Sequence, residues 1–80
     1  MSTEHIFEFG GEKHTPKTYA KMLIITAQIG IAKGKYPNNT KPKAVAVHKA
    51  AVLHNWLIEE LPGAERFAIE VIKEIAQYQL

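Results

Sequence analysis

Seven side chains between positions 33 and 43 could do chemistry together: Lys33, Lys35, Asn38, Asn39, Thr40, Lys41 and Lys43. Four ammonium groups and three small hydrogen-bonding side chains form a set suited to phosphate. A helix predicted to begin just after Thr40 would add unpaired backbone amides and a partial positive charge. Lys17, Lys21 and Lys49 extend the set, so a nucleic-acid backbone could be followed electrostatically. Tyr36 lies within it and could stack on a base, although a single aromatic more commonly packs. Nine of the ten basic residues are lysine. Arginine is the side chain best shaped to read guanine through two hydrogen bonds, so readout of base sequence is not expected. The competing explanation is plain solvation of lysines on a loop and two helix faces.

Other chemistries fit less well. His5, His14, His48 and His54 are the metal-ligand candidates besides glutamate. His48 and His54 are six positions apart, about 120° around a helix, so one face cannot present both to one ion. His48, Asn55 and Glu59 share a polar stripe that resembles a base with orienting partners. No nucleophile accompanies it: Thr15, Thr18, Thr26 and Thr40 are explained as caps or helix-facing hydroxyls, and Ser2 lies at the chain end. Aspartate and cysteine are absent altogether, which removes the usual triad carboxylate and any thiolate. Gly10-Gly11 and Gly30-Gly34 lack the spacing and the following Lys-Ser/Thr of a phosphate-binding loop. The expectation is a protein with no catalytic residues, no metal and no cofactor.

The chain has 80 residues and a formal net charge of +2, but the charge is zoned. Residues 13–58 hold eight lysines and no acid; Glu4, Glu8 and Glu12 precede them, and Glu59, Glu60, Glu65, Glu70 and Glu74 follow. Zoning of this kind concerns partners and encounter rates, not fold. The start Met1-Ser2-Thr3-Glu4-His5 lacks the basic and apolar stretches of an export signal, and no apolar run approaches the roughly 20 residues of a membrane span. A cytoplasmic protein outside the membrane is expected, and Asn38-Asn39-Thr40 is then an accidental glycosylation match.

The elements that must position these residues read as an all-α fold: one domain over 1–80 with helices at about 16–33, 41–60 and 64–79, after an extended arm over 1–14. The arm contains a candidate strand, His5-Ile6-Phe7-Glu8-Phe9, followed by Gly10-Gly11. A hairpin back through Glu12-Lys13-His14 is an option, but that return arm has little β preference. The expectation is therefore an arm whose Phe7 and Phe9 dock on helices of the same or a neighbouring subunit.

Thr15-Pro16 starts the first helix, with a hydroxyl cap and proline at the first position; Thr40 and Pro42 repeat the arrangement for the second. Gly34 to Asn39 forms the loop between them. That loop is about twice the length of the turn in a helix-turn-helix motif, which argues against one.

The third helix is amphipathic. Phe67, Ala68, Val71, Ile72, Ile75 and Tyr78 form one face, and Arg66, Glu70, Lys73, Glu74 and Gln77 the other.

The first two helices are apolar on several sides. In the first, Met22, Leu23, Ile24, Ile25, Ile29 and Ile31 surround a narrow stripe of Lys17, Lys21, Gln28 and Lys35. In the second, Ala46, Ala50, Leu53 and Leu57, then Val45, Val52 and Trp56, then Val47, Ala51 and Ile58 form three seams. One amphipathic helix cannot cover both, so a homo-oligomeric bundle is expected, with a symmetric dimer favoured. Two functions compete. The first is a non-enzymatic helical protein binding an anionic partner, nucleic acid or an acidic protein, through Lys33, Lys35, Lys41 and Lys43. The alternative is a protein-binding regulator, inhibitor or adaptor acting through an apolar helical face.

Overall fold

The computed structural model describes residues 6–9, 11–57 and 63–79. Its elements run β1 (Phe7–Phe9), β2 (Glu12–His14), α1 (Pro16–Ala32), α2 (Pro42–Leu57) and α3 (Ala64–Gln77). The all-α expectation holds: the three helices pack each against the other two, and the strands form a small antiparallel addition. No helix among the described residues is long and apolar enough to cross a membrane.

The start of α1 follows from its sequence. Thr15 stays extended at φ −107° and ψ 152°, its Oγ1 accepts from the Thr18 amide at 3.3 Å, and Pro16 occupies the first turn. The helix ends as glycine dictates. Gly34 adopts φ 78°; its amide donates to the Ile31 carbonyl at 3.0 Å, and the Lys35 amide donates to Gly30 O at 3.0 Å. This pair of bonds is a Schellman closure, which needs a left-handed residue after the cap. Gly30 has a second role: a Cβ there would lie 2.8 Å from Tyr36 Cε2, so the tyrosine ring rests on bare backbone.

Helix α2 begins one residue later than a Thr40 cap would place it. Ala44 and Val45 donate to the Lys41 carbonyl at 3.1 and 3.3 Å, which makes Lys41 the capping position and puts Pro42 first in the helix. The Thr40 amide turns back to Pro37 O at 3.0 Å. The expected end of this helix near Glu60, and the side chains of Trp56, Leu57 and Ile58, lie outside the residues or side chains described.

Helix α3 starts at Gly63, left-handed at φ 87°, whose carbonyl accepts from the Phe67 amide at 2.9 Å. Its apolar face is the one the sequence marks, with Phe67, Val71 and Ile75 almost wholly buried.

The core is Leu23 and Ile24 from α1, Ala46 and Ala50 from α2, and Phe67, Val71 and Ile75 from α3, closed by Ala20. Alanines at three contact positions let the helix axes approach, while Phe67, Ile24, Ile75 and Val71 supply the volume. Each such side chain contributes on the order of 1.5–3 kcal/mol of hydrophobic stabilisation.

The hairpin that the polar return strand argued against is present: Phe7 pairs with His14, Glu8 with Lys13 and Phe9 with Glu12. Two features outweigh the weak strand preference of Glu12-Lys13-His14. Gly11 supplies φ 77° at the turn, and Phe7 is fixed against Phe67 of its own chain with ring centroids 4.7 Å apart. Docking of Phe9 falls outside the side chains described.

Candidate nucleic-acid interface

The local folds just described gather the lysine-rich segment at one end of the bundle. The Schellman closure turns the chain out of α1, Tyr36 anchors the loop on Gly30, and Pro42 restarts the chain as α2. Lys33, Lys35, Asn38, Asn39 and Lys41 are all exposed there, and Thr40 is half-buried. Among the described residues, the Lys33, Lys35 and Lys41 side chains make no ion pair and no hydrogen bond. Their ammonium groups are exposed to water, with no carboxylate of the described residues paired to them.

Lys43 is placed differently. It is half-buried, and its Nζ donates to the Ala76 carbonyl at 3.2 Å, in the last turn of α3. A cation suits that position, because the final carbonyls of a helix carry partial negative charge. The same helix end is met from the other side by α1. Lys17 and Lys21 line an open groove with Thr18, Ala20, Glu74, Gln77, Tyr78 and Gln79. Part of the basic zone therefore neighbours the α3 C-terminus and Glu74, and Lys49 is half-buried on α2. The loop end is the part of the basic zone with no ion pair among the described residues.

The amide cradle is smaller than a bare helix N-terminus would offer. Pro42 has no N–H, and the Ala44 and Val45 amides are already bonded to Lys41 O. The Lys43 amide is the first-turn donor left for an anion. Tyr36 packs on Gly30 with its ring half-buried, a position that serves the loop. The one arginine, Arg66, sits on α3 with its Nε 3.6 Å from Glu70 Oε1, away from the loop residues in sequence.

Among the other candidates, His48 and Asn55 are both exposed on α2, while Glu59 lies outside the described residues. His14 is mostly buried, with Nε2 4.0 Å from Glu12 Oε2 and its ring edge-on to Tyr19 at 5.3 Å. No group of three or more metal-ligating side chains comes together among the described residues. His54 shows a feature that periodicity could not flag: its Nε2 is buried and has no hydrogen-bond partner among the described residues. It lines a groove of about 220 Å³ between α2 and α3 with Ala51, Glu65, Ala68, Ile69 and Ile72.

No protein-family model, characterised protein or solved structure matches the chain at a significant level. The functional reading therefore rests on the geometry of these residues.

Proposed function

We propose that the protein is a small, non-enzymatic helical module that binds an anionic polymer, most directly a nucleic-acid backbone, without sequence preference. The observation that carries the reading is the exposed loop end, where Lys33, Lys35 and Lys41 stand beside Asn38 and Asn39 with no ion pair among the described residues. Three ammonium groups there raise the local concentration of a polyanion and release its counterions on contact. The asparagine amides can donate to phosphate oxygens, which positions a backbone without reading bases. Lys43 holds α3 with its ammonium and offers the cradle its backbone amide.

Amide chemical-shift mapping with short single- and double-stranded oligonucleotides tests the assignment. The largest shifts are expected at Lys33, Lys35, Asn38, Asn39, Lys41 and Lys43. Shifts concentrated on α3 instead would contradict it.

A second reading, self-association as a symmetric dimer, is favoured by the outer face of α2. That face presents Ala44, Ala51 and Val52 with His48 and Asn55, and Val52 is 53% exposed. Small residues permit close approach of two α2 helices. Molar mass by light scattering checks this, and an apolar dimer should persist in about 1 M salt, where charge contacts are screened within about 3 Å.

A further inference from the structure

The groove at the end of α3 has a volume of about 640 Å³ and lies between the first turns of α1 and the last turn of α3. Lys17 and Lys21, both exposed, stand on the α1 wall about 6 Å apart along the helix axis. The other wall comes from Glu74, Gln77 and Tyr78, at the i, i+3 and i+4 positions that share one helix face, and from Gln79. Tyr78 is half-buried: it packs against the core and also lines the groove. Among the described residues, no ion pair joins Glu74 to either lysine.

The charges select the occupant. A simple anion would be drawn to Lys17 and Lys21 but repelled by Glu74, and a simple cation would meet the reverse. The groove suits a ligand with an anion at one end, hydrogen-bond donors at the other and a flat ring between them. An unpaired nucleotide has these parts: a phosphate for the lysines, a base face for Tyr78, and base-edge N–H groups for the Glu74 carboxylate and the Gln77 and Gln79 carbonyls. Every base carries such an N–H on its pairing edge, which a duplex occupies and a single strand leaves open. The selection is therefore for strand state and not for base order.

We infer that the groove between Lys17 and Lys21 on one side and Glu74, Gln77 and Tyr78 on the other holds one unpaired nucleotide, so that the protein prefers single-stranded nucleic acid to duplex. The inference rests on the reading of the loop end as a polyanion site, and the two places are connected. Lys43, two residues beyond the exposed Lys41, donates to the Ala76 carbonyl, and the next residue, Gln77, lines the groove. A strand that follows the loop lysines past Lys43 reaches the groove at the end of α3.

The test titrates the full chain, isotope-labelled, with a short single strand and with the duplex of the same sequence at about 50 mM salt. The single strand is expected to bind about tenfold more tightly, the scale of one stacked base, and to shift the Glu74, Gln77 and Tyr78 amides in addition to those of the loop. Glu74→Ala then separates two accounts that predict opposite signs. A carboxylate that accepts from the base makes its removal weaken single-strand binding about fivefold while duplex binding does not fall. A carboxylate that only repels phosphate makes its removal tighten both, and that result would overturn the assignment. The variant should keep its fold, because a negative charge near a helix C-terminus is not stabilising. Equal wild-type affinity for the two forms, with shifts confined to the loop, would overturn the groove and leave the loop reading standing; no binding of either form would end both. A nucleoside monophosphate matching the affinity of the strand would overturn the single-strand assignment in favour of a free nucleotide.

Discussion

Lys43 Nζ donates to the carbonyl oxygen of Ala76 at 3.2 Å, joining the first turn of α2 to the last turn of α3. A lysine whose sequence position marks it as a phosphate ligand thus also fastens the bundle. Lys43→Gln is expected to lower stability by roughly 0.5–1 kcal/mol, the scale of one hydrogen bond or one charge at a helix end. Its effect on nucleic-acid affinity should be smaller than that of Lys35→Gln or Lys41→Gln. Urea midpoints and binding titrations of the three variants check the division; equal losses of affinity with no change in stability would contradict it.

Gly30 and Tyr36 form a second linked pair. Glycine inside a helix ordinarily costs about 1 kcal/mol relative to alanine, so Gly30→Ala would stabilise an unobstructed helix. Here the added methyl would sit 2.8 Å from Tyr36 Cε2. The expected net effect is a loss of about 1 kcal/mol with the loop displaced. In a Tyr36→Ala background the same change should become neutral or stabilising. A double-mutant cycle showing no coupling would mean that the ring does not rest on the helix.

Burial raises the pKa of Tyr19 above the ordinary tyrosine value of about 10. The folded state then holds the phenol proton more firmly than the unfolded chain does. This contribution is complete below the unfolded pKa, and it is lost as pH climbs from about 10 through the higher folded value. Tyr19→Phe should flatten the stability profile above pH 10 and leave it unaltered near pH 7. Parallel profiles for the two proteins across that range would refute the assignment.

The Nε2 of His54, buried with no partner among the described residues, leads to an opposite kind of expectation. Removing a buried polar atom left without a hydrogen bond recovers its desolvation cost, on the order of 1 kcal/mol, and none of the described residues supplies that bond here. His54→Leu should raise the urea midpoint. A fall would show that this nitrogen holds a partner in solution.

The parts of this fold that could be read in the sequence are those that local chemistry determines. Thr15-Pro16 opens α1 and Gly34 closes it through bonds spanning six residues or fewer, and the single-faced pattern of α3 marks Phe67, Val71 and Ile75 as core. The parts that could not be read depend on distant contacts. Glu12-Lys13-His14 looks unlike a strand, and the hairpin stands because Phe7 meets Phe67, sixty positions away. At the candidate site, the exposure of Lys33, Lys35 and Lys41 followed from the turn-rich loop. The tie from Lys43 to Ala76, 33 residues along the chain, left no local signal. Thr40 matched a cap in residue type, but Pro42 as the first helical residue moved the cap to Lys41.

Polyanion binding by the three exposed lysines at the loop end, Lys33, Lys35 and Lys41, is measured most directly through its salt dependence. Fluorescence anisotropy of a labelled short duplex, titrated at about 50 and 200 mM salt, should show an affinity loss of about 40-fold for three phosphate contacts. The Lys33→Gln, Lys35→Gln, Lys41→Gln triple variant should bind more weakly at the lower salt, with most of that dependence gone. Wild-type protein that does not bind at about 50 mM salt, or a triple variant with the wild-type slope, would contradict the account.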